Sequence, residues 1–433
     1  MIAFSWGGWA LIAIGTIAVV VVLSTLLLPD HMPAMSVNAT SEAGSEEFLA
    51  ALSRYLNVPV LRGGTVHLLQ NGDRFFPALL DAIHGARETV NFQVYIFESD
   101  EVGERFVAAF EERARAGIEV RVLLDGFGCI RFRKRDRDRL RRAGVKLEFF
   151  RPLTPFTLVR AFKRDHRRAM VVDGRVGFTG GAAIAYKWAG DARGPGEWRD
   201  SLTRITGPLV DGIQTAFGEN WFYRTGEILT GEKFFPRAAA EVAAPAPVGS
   251  GPSGIALVSS PSDAAQPMRI LLWLSFASAR RRIWLSNSYF VPGDALRDVL
   301  MKQARAGLDV RLLLPGARTD AKPVRLAGHT HYEEMLAAGV RIFEYQPTMM
   351  HAKTVVVDER WAVTGSANMD RRSVKLNEEN VIGVCDAAFA AEVERGLVED
   401  FGRSHEVTLE EMRARGIGVR VLERVSRLLI EQY

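Results

Sequence analysis

The sequence predicts an α/β protein made of two duplicated, pseudo-twofold-related α/β domains behind an N-terminal transmembrane helix. Three observations carry this reading. Strand-like and helix-like patterns alternate from about residue 58 onward. The same order of patterns recurs about 190 residues later, as an internal duplication would leave it. Residues 9–28 contain no charged side chain.

Taken in order, residues 9–28 end at Pro29-Asp30 and, at about 1.5 Å per residue, would span roughly 30 Å of hydrocarbon. No Lys or Arg precedes the run, and it is long for the apolar part of a cleaved leader, so a retained single-pass anchor (1–28) is expected. Residues 29–57 are polar and read as a linker or a short helix. The first domain is expected over 58–245 and the second over 246–433, joined through the Ala-, Pro-, Ser- and Gly-rich stretch 237–262.

Within the first domain, residues 89–97 and 118–125 read as strands around an amphipathic helix near 104–116; 283–291 and 307–315 repeat the pattern. Ala-Arg-Ala-Gly at 114–117 returns at 304–307, a lag of 190, and Ala-Gly-Val at 143–145 returns at 338–340, a lag of 195. Phe149, Phe150 and Phe343 are expected in the core. Residues 156–164 mix apolar and basic side chains and read either as a membrane-facing lip or as a plain entry into a strand. Residues 419–430 carry apolar positions at helical spacing with arginines between them, and docking on the domain is expected rather than membrane contact.

At 433 residues and 48% apolar composition the chain can fill two or three cores. Its formal charge of +4 understates local basicity, since Arg131, Arg133, Lys134, Arg135, Arg137, Arg139, Arg141 and Arg142 fall within twelve positions. That cluster reads as a solvated helix face laced with Asp136 and Asp138, or as a surface for anionic headgroups or another polyanion. Cys129 and Cys385 stand 256 apart outside any CxxC or Cys/His cluster, which argues against a disulfide framework or a zinc site.

The chemistry concentrates in residues 350–380. Two β-branched runs, 354–357 and 361–364, flank the turn Asp358-Glu359-Arg360. His351 and Lys353 are two apart and share a strand face. An imidazole that attacks or donates a proton, beside an ammonium that stabilises phosphoryl oxygens, suits chemistry on a phosphodiester. Asp358, at an odd offset from His351, is expected to face away and hold the turn. The duplication calls for a partner near residue 161, and His166 stands there in Asp165-His166-Arg167-Arg168, with Asp173-Gly174 and Gly180-Gly181-Ala182-Ala183 following.

His351-x-Lys353-x4-Asp358 with Gly365-Ser366-x-Asn368 resembles the HKD motif of the phospholipase D superfamily. Residues 369–373 (Met-Asp-Arg-Arg-Ser), 376–380 (Leu-Asn-Glu-Glu-Asn), 289–292 (Tyr-Phe-Val-Pro) and 320–345 are similar to the bacterial cardiolipin synthases, so the resemblance covers most of 60–433. It implies two phospholipase D-like domains, each giving one motif to a single site at their interface. It also implies His166, Arg168, Asp173, His351, Lys353 and Asp358 as the catalytic set, and Ser366 and Asn368 as phosphate-binding residues. Asp200 and Glu379 are implied as the carboxylates that orient the histidines, without saying which acid serves which histidine.

The first motif departs from the family: Arg168 stands for the lysine and Ala183 for the asparagine. Arginine keeps the charge and can grip phosphate bidentately, but it does not reproduce an ammonium's point contact. The implied reaction is phosphatidyl transfer through a phosphohistidine, making cardiolipin or a related lipid at the bacterial inner membrane. Its partners would be phospholipids such as phosphatidylglycerol and the membrane, with no nucleic acid, no cofactor and no metal. A hydrolytic phospholipase D, a nuclease of the superfamily and a non-catalytic binder of anionic lipid remain open alternatives.

Overall fold

The computed structural model describes residues 16, 35–37, 41–152, 163–236, 251–261 and 266–431. The expected span at 9–28 (Thr16 apart), most of the connector at 237–262 and most of the stretch 156–164 lie outside those residues. Among the described residues no helix is long and apolar enough to cross a membrane.

The strands are β1 (Leu61–Arg62), β2 (Thr65–Gln70), β3 (Thr89–Val94), β4 (Glu119–Asp125), β5 (Lys146–Phe150), β6 (Ala169–Val172), β7 (Val176–Gly180) and β8 (Ser201–Thr206). They continue as β9 (Ser253–Ser259), β10 (Arg282–Ser286), β11 (Asp309–Pro315), β12 (Arg341–Tyr345), β13 (Thr354–Val357), β14 (Trp361–Gly365), β15 (Glu379–Cys385) and β16 (Ser404–Val407). One sheet has the order β2-β8-β7-β6-β3-β4-β5; the other has β9-β15-β14-β13-β10-β11-β12, extended by β1 at one edge and β16 at the other. The two orders are the same topology used twice.

In each half three strands run parallel through helical crossovers, and the motif hairpin adds antiparallel to the first of them. β3 pairs with β6 so that Val90 faces Val172, and β10 pairs with β13 so that Ile283 faces Val357. The registers make Gln93 equivalent to Ser286 and Tyr95 to Ser288. Both hairpins turn through two positive-φ residues, the conformation that matches strand twist. Asp173-Gly174 does so at φ 52° and 60°, and Asp358-Glu359 at 51° and 61°. A Cβ on Gly174 would come within 2.6 Å of the Phe234 carbonyl oxygen, so only glycine fits there.

Helices Leu209–Thr225 and Ala387–Phe401, each following the last motif strand of its half, lie between the sheets. They build a shared apolar layer that takes Ile213, Phe217 and Trp221 from one half and Phe389, Val393 and Leu397 from the other. Burying two sheets against one layer makes the halves one cooperative unit.

Within the expected linker 29–57, Glu46–Leu56 is a helix capped by Ser45, whose hydroxyl accepts from the Phe48 amide at 3.1 Å. Phe48 packs edge-on against Trp361, centroids 5.0 Å apart, so this segment belongs to the core of the second half. The basic cluster is largely helix Lys134–Arg142. Arg139 bridges Glu104 and Glu111 at 2.6 and 2.8 Å, and Lys134 pairs with Asp138 at 2.9 Å. Both cysteines are free thiols. Phe150 and Phe343 are buried, with Phe149 partly so.

Candidate active site

His166 enters just before β6 and His351 just before β13, and backbone bridges fix both against the opposite half. The His166 amide donates to the Glu378 carbonyl at 3.0 Å, and the Glu378 amide to the Arg164 carbonyl at 2.9 Å. Likewise the His351 amide donates to the Arg199 carbonyl at 2.7 Å, and the Arg199 amide to the Met349 carbonyl at 2.9 Å. Each histidine is thus laced beside the residue that precedes a carboxylate of the other half.

The acids therefore cross. His166 Nδ1 lies 2.9 and 3.0 Å from the two Glu379 oxygens, and His351 Nδ1 lies 2.6 Å from Asp200 Oδ2. A carboxylate only accepts, so each imidazole carries its proton on Nδ1 and keeps its lone pair on Nε2, which in His351 lies 3.3 Å from Lys353 Nζ. Glu379 also accepts from Ser366 Oγ at 2.5 Å, Ser373 Oγ at 2.8 Å and Asn377 Nδ2 at 3.3 Å. Asp200 accepts from Trp188 Nε1 at 2.8 Å and the Ser201 amide at 2.7 Å. A Cβ at position 181 would fall 2.3 Å from Asp200 Oδ1, so Gly181 makes room for this acid.

Burial, reinforced by Arg168, pushes His166 down to about 4 against the pull of Glu379. Burial and then Lys353 push His351 down to about 3 against Asp200. For both Glu379 and Asp200 burial raises the pKa, but the facing histidine and the donors around it outweigh that and hold each acid below its ordinary range. The resting site is two neutral imidazoles donating to two ionised carboxylates.

The cations differ between halves. Lys353 Nζ donates to Ser288 Oγ at 2.6 Å and to the His351 carbonyl at 2.5 Å, and burial pushes it down to about 7. Arg168 Nη1 donates to the His166 carbonyl, and its guanidinium sits 5.6 Å from the Tyr95 ring centre. Arg168 Nε is buried and has no hydrogen-bond partner among the described residues. Asn380 clasps the Arg168 backbone across the interface, accepting from its amide at 3.0 Å and donating to its carbonyl at 3.1 Å. Asn368 is buried with Oδ1 unpartnered, whereas its counterpart Ala183 lines a small apolar void beside Arg168.

Asp173 and Asp358 are not brought to this cluster, which corrects their place in the catalytic set. Asp173 accepts from the amides of Arg87, Glu88 and Thr89 at 2.8–2.9 Å, and Asp358 from those of Arg280, Arg281 and Arg282 at 2.7–2.9 Å. Each stands past the far end of the strand that its histidine precedes, so at about 3.3 Å per residue roughly 20 Å of chain separates the two. Distance along the strand, rather than side-chain parity alone, keeps them apart.

Residue reading missed Tyr95, Trp188, Ser288, Ser373, Asn377 and Asn380 as members of the site. Ser373, Asn377 and Asn380 lie inside stretches that carried the family resemblance, so a signal existed. Tyr95 and Trp188 touch the histidines only through the fold, with ring centres 5.1 Å from His166 and 5.4 Å from His351. Among the described residues no group of three or more His, Cys, Asp or Glu side chains could hold a metal ion.

Comparison with known proteins identifies the family. A family model described as cardiolipin synthase, PLD-like domain, matches residues 79–188 and 274–400. The chain is 36% identical to cardiolipin synthase A of Pseudomonas fluorescens (strain SBW25), over 88% of this chain and 78% of that protein. It is 35% identical to the cardiolipin synthase of Geobacillus kaustophilus (strain HTA426), over 86% of this chain and 73% of that one. In fold it is similar to a phosphatidylserine synthase of Haemophilus influenzae Rd KW20, with a TM-score of 0.69 and 14% identity over 90% of this chain and 100% of that chain. The chain belongs to the phospholipase D-like family that contains the bacterial cardiolipin synthases.

Proposed function

We propose that this phosphatidyltransferase of the phospholipase D superfamily makes cardiolipin or a related phospholipid, taking phosphatidylglycerol or a similar lipid as donor and a lipid alcohol as acceptor. The observation that carries the reading is the crossed pair of histidine–carboxylate contacts, which turns each Nδ1 to an acid of the other half and sets both imidazoles in the field of Arg168 and Lys353. In this scheme His166 Nε2 attacks phosphorus and the bond to the headgroup oxygen breaks. His351 gives that oxygen its proton. The acceptor alcohol then loses its proton to His351, its oxygen attacks phosphorus, and the P–N bond to His166 breaks.

His351 is neutral at rest, so it must gain a proton before the first step. A bound phosphodiester anion offsets the field of Lys353 and Arg168, and Asp200 stabilises the imidazolium that results. Arg168, Lys353 and the Asn368 amide would hold the phosphoryl oxygens as charge shifts onto them. Ser366 would act at one remove, by holding Glu379. Lipid substrates place the work at a membrane, and the uncharged run at 9–28 would supply a single-pass anchor in the bacterial inner membrane.

Purified protein given phosphatidylglycerol should release glycerol and form cardiolipin in equal amounts, as read by lipid mass spectrometry. The His351→Ala protein should form neither. Phosphatidic acid as the sole product would replace transfer by hydrolysis, and no lipid product from a folded protein would end the reading.

A further inference from the structure

The C-terminal helix Ile417–Glu431 docks on helix Lys322–Ala337 with the wrong face for a core contact. Its inward side is polar: Glu423 and Ser426 are 2% and 5% exposed. Glu423 takes Arg415 as an ion-pair partner and stands 3.4 Å from His329 Nδ1. Its outward side is apolar, with Ile417, Val421, Leu422, Val425 and Leu428 all 46–81% exposed. Their spacing of four, one, three and three puts them in one stripe.

Single exposed aliphatic residues are ordinary, but a continuous helical stripe of five is not. Solvent does not favour it, and docking on Lys322–Ala337 leaves it exposed among the described residues. The sequence around the stripe selects the occupant. Arg420, Arg424 and Arg427 run along one flank, and the one acid between Ile417 and Ile430 is the inward-facing Glu423. An apolar stripe with an arginine flank and no outward acid among residues 417–428 matches the boundary between acyl chains and anionic headgroups. The flanking arginines can extend their charge to phosphate level while the aliphatic side chains enter the acyl layer.

The position also fits. The supporting helix begins at Lys322, two residues after Asp320, whose carboxylate accepts from the Tyr289 hydroxyl at 2.9 and 3.0 Å. The Tyr289 ring stands 6.1 Å from that of His351. The stripe is therefore carried on the element that leads out of the second half of the active site.

We propose that Ile417–Glu431 is an interfacial helix: it lies in the surface of an anionic bilayer, apolar stripe down, and seats the second half of the site against the lipid that supplies its substrate. The substrate clause rests on the phosphatidyltransferase reading; the membrane contact itself does not.

The test uses the full chain reconstituted in vesicles of phosphatidylcholine with phosphatidylglycerol. Nitroxide labels are placed singly through Leu422→Cys, Val425→Cys and Leu428→Cys, with Arg305→Cys as a reference on an exposed helix and the protein without added cysteine as a blank. Labels at 422, 425 and 428 should collide more with dissolved oxygen than with a water-soluble nickel chelate, and the label at 305 should show the reverse. Nickel access at the three stripe positions equal to that at 305 would overturn the proposal. So would protection from both reagents with strong spin–spin broadening, which would mean that a second copy covers the stripe.

A Leu422→Ser/Val425→Ser/Leu428→Ser protein, altered only at exposed positions, supplies a second measurement. It should lose at least tenfold in turnover on vesicles and keep its turnover on detergent-dispersed lipid; equal turnover in both would count against the inference. A wild-type protein without lipid turnover would remove the enzymatic reading alone, since the labels report seating regardless.

Discussion

The two halves of this molecule share a topology and differ at the atoms that would touch phosphate. The second half offers Lys353, Ser288 and Asn368; at the equivalent positions the first offers Arg168, Tyr95 and Ala183. In the second half the ammonium rests on a small hydroxyl, and a separate amide stands by. In the first half one longer, forked cation lies near an aromatic ring with no amide beside it, while a small void lies next to the cation in both halves. Arg168 and Ala183 look like decay in a sequence. Seen together with Tyr95 they form a matched exchange, in which a guanidinium can supply both the charge and the additional N–H donor.

The carboxylates differ as well. Glu379 is surrounded by side-chain donors, whereas Asp200 relies on Trp188 and a backbone amide. Asymmetry of this kind is what two distinct roles on one phosphorus require: a nucleophile held in one orientation, and a second imidazole that gains and loses a proton.

The largest expected effect lies in the histidines. His166→Ala and His351→Ala should each lower kcat by about 10³-fold or more, and Glu379→Gln and Asp200→Asn by about 10²- to 10⁴-fold. Labelled lipid followed by rapid quenching should show a phosphohistidine at position 166 in the wild-type protein. A phosphohistidine at 351 instead would reverse the assignment of roles.

Both imidazoles are held below their ordinary value of 6.5, at about 4 and about 3. Between pH 6.5 and about 4 the unfolded chain therefore binds more protons than the folded one, so stability falls as the solution is acidified through that window. The loss should reach several kcal/mol, by denaturant titration. A His166→Gln/His351→Gln protein should lose less, and an identical pH dependence would place the acid sensitivity outside the site.

Helix Glu46–Leu56 belongs to the second half alone, and Phe48→Ala should cost about 3–4 kcal/mol in thermal or chemical unfolding. A cost below about 1 kcal/mol would mean that the second core does not need this segment.

The exchange between halves is sharpened by transplanting it. Arg168→Lys alone should lower kcat by about 10²-fold, because an ammonium beside Ala183 leaves the first half one donor short. Adding Tyr95→Ser and Ala183→Asn should recover activity to within about tenfold of wild type. Effects that simply multiply would show that the three positions are independent.

The smallest effect concerns the turn acids. Asp173→Asn and Asp358→Asn should each cost about 1–3 kcal/mol of stability, by removing a charged acceptor from three backbone amides. Turnover of the folded fraction should stay within about tenfold, and a folded Asp358→Asn protein without activity would put the carboxylate back in the chemistry.

What the sequence determined by itself was whatever is local along the chain. The period of two in the motif strands, the recurrence of Ala-Arg-Ala-Gly and Ala-Gly-Val, and the His-x-Lys and Gly-Ser-x-Asn spacings all lie within short windows. They made legible the duplicated α/β order, both histidines and the cations beside them, whereas the two orienting acids entered as a set only through the family resemblance. The match of acid to histidine was decided by tertiary structure, because Glu379 reaches His166 across 213 residues and Asp200 reaches His351 across 151. No spacing encodes such a contact; it arises where the Asp165–Glu378 and Arg199–Met350 bridges stitch the halves together. The places of Tyr95 and Trp188 and the outward turn of the apolar stripe on Ile417–Glu431 have the same origin. Periodicity says that a helix or strand has two faces, but only the neighbours it packs against decide which face is buried.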